Sequence, residues 1–500
     1  MNRHQTLWLI LFVIIANSFG QKIIANDYCQ FDHEVRKIYA DILQLNFEIA
    51  EKQLAKIANS EIHHRNKAYL LLENELDFFK LFILDDKGDF EKRKSHRERR
   101  LKILEKSDLE DTWKSFLMAE IDLHWALVYM KQQEQLKGIQ LLYGSKLLLD
   151  KKSAQYPAFY YYKKSLGILQ ALLGTIPPEY QWASRLVGLD GNIRQGKETL
   201  HQFIIASQQD KGFFLEEAYA ANSFIMCYLE HKPKEAFQYW VNKTHRQEQG
   251  PIFAWVHAKI ALRAGFNDGA RMVFSVLPQD HFEKLPYLYY LQGLSELQAL
   301  QTSSDQYFAL FLKSNTGLNY IKEAWQKRAW NALLQGNQTA YKLYMSQCLV
   351  QGVAQIDEDQ QAYLDAKSAH LPDTILLKAR LLCDGGYIEK AEKYLLNQAT
   401  KLQDDPEKKL EYNYRLARIY HLGQKNDQAL RYYQTVMLTG PENSYLVCNA
   451  HLQVGIIMEL RYNRTEAEMN FNKVLKLKPD KYKNSLHQKA KAGLTRLRSK

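Results

Sequence analysis

The sequence contains few of the residues that interrupt helices, with 11 prolines and 23 glycines among 500 residues. Few segments alternate apolar and polar residues as β-strands do, whereas Leu, Ala, Lys, Glu, Gln and Tyr dominate long stretches. These features exclude a β-rich protein and favour an almost entirely helical one. Because one hydrophobic core stops growing at about 250–300 residues, the chain is multi-domain or is a repeat array whose units contact only their neighbours.

Cysteine is also scarce and shows no pattern typical of metal sites. The number is odd and no spacing is C-x-x-C, which favours small core residues on helices. A disulfide outside the cytoplasm remains open, without an assignable pair. The five residues are Cys29, Cys227, Cys348, Cys383 and Cys448.

Long apolar runs are missing except at the N-terminus. Arg3 and His4 precede an apolar run from Leu7 to Ala16, and the small residues Ser18 and Gly20 follow it. This pattern predicts a signal peptide over residues 1–20, cleaved before Gln21. We therefore expect export to the periplasm, the cell surface or the medium, with an uncleaved N-terminal membrane anchor as the alternative.

A pair formed by a small residue and a bulky residue four positions later recurs along the chain. The last two pairs are 38 residues apart, and a further small residue precedes several pairs by twelve positions. Two antiparallel helices can approach closely at small residues, and stacked helix pairs then bury a continuous core. The pairs are Gly196 with Leu200, Ala236 with Trp240, Ala270 with Phe274, Ala340 with Tyr344, Ala391 with Leu395, Ala429 with Tyr433 and Ala467 with Phe471, and the earlier small residues are Ala258, Ala379, Ala417 and Gly455.

Residues 410–480 resemble the tetratricopeptide repeat family. The pattern W-x-x-L-G-x-x-Y…A-x-x-x-F…P is matched at Leu416, Ala417, Tyr420, Ala429, Tyr433 and Pro441, and its second copy at Gly455, Ala467, Phe471 and Pro479. The resemblance implies an all-α, right-handed α-solenoid of antiparallel helix pairs. The Trp position is mostly lost, and extra residues over 321–372 leave the register of 300–370 open.

The expected domain organisation follows from the positions at which the repeats can be recognised in the sequence. After the signal peptide we expect an irregular helical region over 21–176, divergent repeats over 177–371 and clearer repeats over 372–480. Residues 481–500 contain no acidic residue and are predicted to form a basic capping helix. The segment "IPPEYQWASRLVGLDGNIRQGKETL" is also similar to the central segment of the tetratricopeptide repeat 39 family, which implies partner binding without chemistry.

A near match to a phosphate-binding loop runs from Gly191 through Gly196 and Lys197. Such a loop needs a preceding strand and a hydroxyl after the lysine to hold Mg²⁺. Here the preceding residues continue a helical pattern, and Glu198 occupies the hydroxyl position. We therefore predict no nucleotide binding, and assign Gly196 to a helix crossing.

The basic run Glu91–Lys102 raises the question of an anionic partner in a chain of formal charge +11. Arg93, Arg97, Arg99 and Arg100 are candidate contacts with an anionic envelope surface. The alternative is a solvated helix end beside the acidic "DDKGD". Export argues against nucleic acid as the partner.

The motifs of catalysis and of metal binding are missing from the sequence: it has no H-E-x-x-H, no Cys/His cluster and no G-x-S-x-G. We therefore predict no enzyme activity, no cofactor and no metal. The favoured function is binding an extended or helical segment of another protein in a solenoid groove, with Asn413, Arg415 and Arg418 as trial contacts. The alternative is a glycan- or ligand-binding envelope protein on the same repeats.

Overall fold

The computed structural model describes residues 26–58, 60, 64–85, 87–174, 191–209, 212–244, 250–368 and 370–498. The predicted signal peptide and the 176–190 portion of the tetratricopeptide repeat 39-like segment lie outside these residues. The chain divides into two compact units, one formed by residues 1–83 and 88–218 and the other by 84–87 and 219–500. Within the described ranges, no helix has the length and apolar character that crossing a membrane requires.

The N-terminal unit consists of helices of unequal length. The two longest, α6 and α7, pack against each other as a pair, and α8 packs in the same way against α9. The helices are α1 (His33–Leu43), α2 (Phe47–Ile57), α3 (Ala68–Ile83), α4 (Lys87–Arg93), α5 (His96–Lys106), α6 (Asp111–Lys131), α7 (Gln135–Gln155), α8 (Tyr162–Leu173), α9 (Ile193–Gln209) and the start of α10 (Leu215–Phe224).

The C-terminal unit is a succession of helix pairs, each packed on the next. A π-helical segment, Ile225–Leu229, continues α10. The helices that follow are α11 (Pro233–Thr244), α12 (Pro251–Ala264), α13 (Asn267–Val276), α14 (Gln279–Lys284), α15 (Tyr287–Gln298), α16 (Ser304–Ser314), α17 (Ile321–Leu334), α18 (Gln338–Val350), α19 (Asp357–Ser368), α20 (Thr374–Asp384), α21 (Ile388–Asn397), α22 (Pro406–Leu422), α23 (Asn426–Thr439), α24 (Tyr445–Leu460), α25 (Arg464–Lys476) and α26 (Lys483–Arg498).

The all-α fold class is confirmed, with helices packed in adjacent pairs like those of a tetratricopeptide-type solenoid. The last helix, α26, packs on α24 and α25, so it covers the final pair as a capping helix would. The division into compact units falls after Ala218. Helices α8 and α9 pack closely as one pair and belong to the same unit.

The small and bulky residues of the repeat fall on the fourth and eighth positions of the second helix of a pair. Ala429 and Tyr433 occupy these positions in α23, and Ala467 and Phe471 occupy them in α25, all with 0% exposure. The same two positions are held in four further helices by Gly196 and Leu200 in α9, Ala236 and Trp240 in α11, Ala270 and Phe274 in α13, and Ala391 and Leu395 in α21.

The bulky members of these four further pairs are core residues. Leu200 and Leu395 are 0% exposed, and Trp240 and Phe274 are 3% and 5% exposed. A buried side chain of this size stabilises the fold by about 1.5–3 kcal/mol relative to an exposed one, so each ring or isobutyl group helps to hold its helix pair together. Leu416, Ala417 and Tyr420 are likewise buried in α22, and Pro441 and Pro479 follow the ends of α23 and α25.

The pair in α18 has a different register from the one that the sequence suggested. Asn337 caps the helix by accepting a hydrogen bond from the backbone of Ala340, so α18 begins at Gln338. The fourth and eighth positions are therefore Tyr341 and Met345, which are buried, while Ala340 and Tyr344 are only half-buried. The extra residues that left this register open form α19, which packs on α17 and α18.

Glycines mark a close helix crossing in the N-terminal unit. A Cβ atom on Gly196 would lie 2.6 Å from the backbone nitrogen of Ala171 and 2.6 Å from the carbonyl oxygen of Gly167. A Cβ on Gly167 would in turn lie 2.7 Å from the carbonyl oxygen of Gly196. The glycines of the near-phosphate-loop stretch thus include one that lets α8 and α9 touch backbone to backbone.

Candidate protein-binding face of the C-terminal unit

A recess opens beside the first helices of successive pairs in the C-terminal unit. Its empty volume, including the open mouth, is about 670 Å³. Helices α17, α18, α19, α20, α22 and α24 contribute residues, and so does the segment that leads into α26. Its lining includes Trp330, Asp365, Asp373, Arg380, Glu411, Arg415, Tyr445, Lys481 and Tyr482.

Aromatic rings form one part of the recess. The ring centroids of Tyr445 and Tyr482 are 5.5 Å apart, and Tyr482 is 38% exposed. The guanidinium carbon of Arg380 lies 4.9 Å from the ring centroid of Trp330, within the range of a cation–π interaction. Rings of this kind offer large contact area at a small cost in side-chain entropy.

Charged groups of both signs line the rest of the recess. Arg415 donates from Nε and Nη2 to Oε1 of Glu411 at 3.0 and 2.6 Å, one helical turn away on α22. The ammonium nitrogen of Lys481 lies 3.3 Å from Oδ1 of Asp365. Asp373 pairs with Lys408 at 3.2 Å. Most of the recess charges are therefore matched by a neighbour from this unit.

Three cations occupy equivalent positions on the first helices. Each lies directly after the small residue of its helix: Lys259 after Ala258, Arg380 after Ala379 and Arg418 after Ala417. We call these three residues the cation row. The nearest carboxylate oxygen to Arg380 belongs to Asp384 at 3.6 Å, and Arg418 donates from Nη1 to the amide oxygen of Gln453 at 3.0 Å. Within the described part of the chain, neither Lys259 nor Arg418 has a carboxylate within 4.0 Å.

Burial keeps the titratable side chains His421 and Tyr482, which lie near the cation row, in their neutral forms. Burial lowers the pKa of His421 to about 4, and the charge of Arg418 lowers it further in the same direction. Burial also raises the pKa of Tyr482 to about 12. At neutral pH the imidazole of His421 and the phenol of Tyr482 are therefore neutral, so neither group changes the positive charge of the cation row.

The trial contacts chosen from the sequence have different environments. Asn413 is half-buried, and its amide donates to the carbonyl oxygen of Lys409. Arg415 lines the recess but is held by Glu411, whereas Arg418 belongs to the cation row.

The repeat residues singled out in the sequence are not brought together at this face. Leu200, Trp240, Phe274 and Leu395 point into the cores of four separate helix pairs, as the buried Tyr433 and Phe471 do in theirs. They shape the scaffold and offer no surface to a partner. Tyr344 is the exception, since the shifted register of α18 leaves it half-buried beside Arg328, whose Nη2 donates to its hydroxyl at 3.1 Å.

The four candidate arginines of the basic run form ion pairs with carboxylates of the N-terminal unit. Arg93 and Arg100 contact the two oxygens of Asp77 at 2.6 and 2.7 Å, and Arg100 is only 2% exposed. Arg97 pairs with Asp122 at 2.7 Å, whereas Arg99, whose side chain is 58% exposed, pairs with Glu73 at 3.2 Å. These pairs connect α4 and α5 to α3 and α6. Among the four arginines, only Arg99 has a side chain that is mostly exposed.

The carboxylate of Asp77, which contacts both Arg93 and Arg100, is stabilised in its charged form. Burial alone would raise the pKa of Asp77, but hydrogen bonds from His96 and Arg93 and the charge of Arg100 lower it to about 2. The sequence could not show this arrangement, because Asp77 lies on α3, away from the basic run in sequence.

The near-phosphate-loop stretch is helical where the structure describes it. Helix α9 begins at Ile193, so Lys197 lies inside the helix and not in a loop before it. Glu198 pairs with Arg194 at 3.1 Å, one turn earlier on the same helix. Backbone N–H groups that continue a helix are not free to surround a phosphate.

Comparisons with known proteins add little to this geometry. No protein-family model matches the chain, and no curated protein matches it either. Among solved structures, the chain is similar to the apo form of the quorum sensor NprR from B. thuringiensis, with 9% sequence identity and a TM-score of 0.31. The match covers 81% of this chain and 97% of that chain, and at this TM-score it carries no argument about function.

Proposed function

We propose that the protein binds a polypeptide segment rich in carboxylates along the recess and the cation row of the C-terminal unit, without catalysis. The cation row carries the proposal, because it places three positive charges at one repeated helical position, and among the described residues only Asp384, 3.6 Å from Arg380, brings a carboxylate within 4.0 Å of them. The aromatic rings of Tyr445, Tyr482 and Trp330 would supply apolar contact area beside these charges. Solenoid grooves of stacked helix pairs commonly serve as extended binding surfaces.

Neutralising two members of the cation row should weaken such binding. The probe is a displayed library of random peptides, and we expect the selected peptides to be enriched in Asp and Glu and to bind less tightly as salt increases. The double variant Arg380→Gln/Arg418→Gln should bind a selected peptide at least about tenfold more weakly, the equivalent of about 1.4 kcal/mol, by isothermal titration calorimetry.

The matched control is Lys393→Gln/Arg431→Gln, which removes the same charge from exposed positions of the second helices α21 and α23. It should bind the peptide like the unmodified protein. Equal losses in both double variants would mean that net charge alone attracts the peptide. A library that yields no binder, together with binding to a glycan array, would favour the glycan-binding alternative instead.

We also propose that the protein acts outside the cytoplasm, on the basis of the N-terminal sequence. The exported form should begin at Gln21, and mass spectrometry of the intact protein from its native source would measure this directly. A mature protein that retains residues 1–20 would support the membrane-anchored alternative, and recovery of the whole chain from the cytoplasm would contradict export.

A further inference from the structure

A buried cluster of ionisable side chains lies in the N-terminal unit, apart from the proposed binding face. Five helices contribute to it, and Glu75, Glu120 and Lys164 are exposed by 1% or less. The ring of Phe214 covers the ammonium group of Lys164 at 4.0 Å. The members are Tyr39 on α1, Glu75 on α3, Glu120 and His124 on α6, Lys164 and Ser165 on α8, and Glu217 on α10.

The charges of this cluster do not balance. The ammonium nitrogen of Lys164 lies 2.6 Å from Oε2 of Glu120 and 2.7 Å from Oε2 of Glu217. Glu75 adds a third carboxylate, so ionised side chains would leave two uncompensated negative charges in the interior. Charges removed from water cost several kcal/mol each unless they are paired.

Glu75 is the carboxylate without a partner. Its Oε1 is buried and receives no hydrogen bond from any described residue. The nearest ring nitrogen, Nδ1 of His124, lies 3.7 Å away. Lys164 is within ion-pair distance of Glu120 and Glu217 but not of Glu75.

A lone pair, and not a proton, occupies Nδ1 of His124. Trp125 donates from its indole nitrogen to Oδ1 of Asn74 at 3.0 Å, so the amide nitrogen of Asn74 points to His124. That nitrogen donates to Nδ1 at 3.0 Å. Because an amide nitrogen can only donate, Nδ1 of His124 accepts this hydrogen bond and carries no proton. An electron pair on nitrogen and a carboxylate oxygen of Glu75 therefore lie close together with no proton donor between them.

Three donor atoms converge at this point. One ligand atom each from Glu75, Glu120 and His124 lies within 4.8 Å of the other two. Glu120 and His124 are one turn apart on α6, so they present to the same side of that helix. Each oxygen of a carboxylate has two lone pairs, so Glu120 keeps acceptor capacity beside Lys164 and Ser165.

We propose that Glu75, Glu120 and His124 bind a divalent cation of the Zn²⁺ or Mn²⁺ class. Imidazole nitrogen and carboxylate oxygen are ligands that these metals accept, and Zn²⁺ binds both at about 2.0–2.2 Å. Modest rotations of the side chains would bring the three donors to such distances, and Nδ1 would exchange the hydrogen bond from Asn74 for the metal. The two positive charges would cancel the two negative charges that Lys164 leaves uncompensated.

A proton on Glu75 is the competing explanation, because it would cancel one of those charges. Burial, together with the charge of Glu217, raises the pKa of Glu75 well above its ordinary value. Infrared spectroscopy separates the two cases. A protonated carboxyl band that disappears in Glu75→Gln, and that persists in the presence of ZnCl₂, would assign the site to a proton.

The direct test uses the full chain after treatment with a chelator and dialysis. Calorimetry with ZnCl₂, MnCl₂ and MgCl₂ should show one strong site for Zn²⁺ or Mn²⁺ and a higher unfolding temperature with metal bound. Glu75→Gln keeps the shape of the side chain and should weaken this site at least about tenfold, the scale of effect seen even for outer-shell partners. Because this variant removes an unpaired buried charge, the metal-free variant should fold at least as stably as the metal-free parent, which circular dichroism can verify.

The control variant is Glu216→Gln, which changes an exposed carboxylate beside Glu217. It should bind metal like the unmodified chain. Failure to bind any of the three metals would overturn the proposal, and so would a metal affinity that Glu75→Gln leaves unchanged. None of these outcomes bears on peptide binding by the C-terminal unit, so the two proposals can fail separately.

Discussion

Substitution of Lys164 by methionine is expected to destabilise the N-terminal unit by about 3–5 kcal/mol, the usual cost of removing one partner from a buried ion pair. Methionine has a similar length, so the change removes the charge with little loss of volume. Glu120 and Glu217 would then face each other without the ammonium group that lies 2.6 and 2.7 Å from them. The loss comes from the two carboxylates that lose their cation, of which Glu120 is fully buried and Glu217 is partly buried.

Hydrogen–deuterium exchange of the chelator-treated full chain measures this effect within the N-terminal unit. Amides of α6 and α8 should exchange much faster in Lys164→Met, whereas those of α22–α25 should not change. The triple variant Lys164→Met/Glu120→Gln/Glu217→Gln should recover most of the protection, because it removes the unpaired charges as well. Unchanged exchange in Lys164→Met would show that the ion pairs contribute little.

Substitution of Phe471 by alanine is expected to cost about 3–5 kcal/mol in the C-terminal unit, as for other large aromatic residues in cores. Phe471 is 0% exposed and lies between two glycines of neighbouring helices. A Cβ atom on Gly455 would lie 2.7 Å from Cε1 of Phe471, and one on Gly493 would lie 2.5 Å from Cζ. Truncation would leave a cavity between α24 and α26. These two helices already pack closely around the ring, so the cavity could be filled only if their backbones moved.

Urea denaturation followed by the fluorescence and circular dichroism of the full chain would report the loss. Met469→Ala is the matched control, because Met469 lies two residues earlier on α25 and is 61% exposed. The control should change the free energy of unfolding by less than about 0.5 kcal/mol. Similar losses in the two variants would mean that the ring does not hold the last pair to α26.

The sequence predicted the fold class because each repeat has a small residue where two helices pack closely and a bulky core residue one turn later. Six of the seven small–bulky pairs occupy the fourth and eighth positions of a second helix, as Ala429 and Tyr433 do. The seventh pair, Ala340 and Tyr344, is shifted by one residue. Side-chain size alone could not reveal this shift, because the cap formed by Asn337 decides where α18 begins.

The binding face was only partly visible in the sequence. Arg418 was among the trial contacts, but Arg380 and Lys259 were not, although all three follow a small residue of a first helix. Alignment of the first helices on those small residues would have found the cation row. Tyr482 and Lys481 could not be assigned in this way, because they reach the recess from the segment before α26.

The buried cluster of the N-terminal unit could not be predicted from sequence spacing. Its members extend from Tyr39 to Glu217, and only Glu120 and His124 have a spacing that suggests a shared face. The same limit applies to the basic run, where Arg100 looks exposed in sequence but is buried against Asp77. Such partners are set by tertiary packing between helices that are distant along the chain.

Photo-cross-linking of a selected acidic peptide to the full chain tests the central proposal most directly. The peptide carries a photoreactive group at one end, and mass spectrometry identifies the residues to which it becomes attached. The proposal predicts attachment to α20, α22, α24 and the segment around Tyr482, and loss of these adducts in Arg380→Gln/Arg418→Gln. Adducts confined to the second helices or to the N-terminal unit, or unaffected by that double variant, would contradict it.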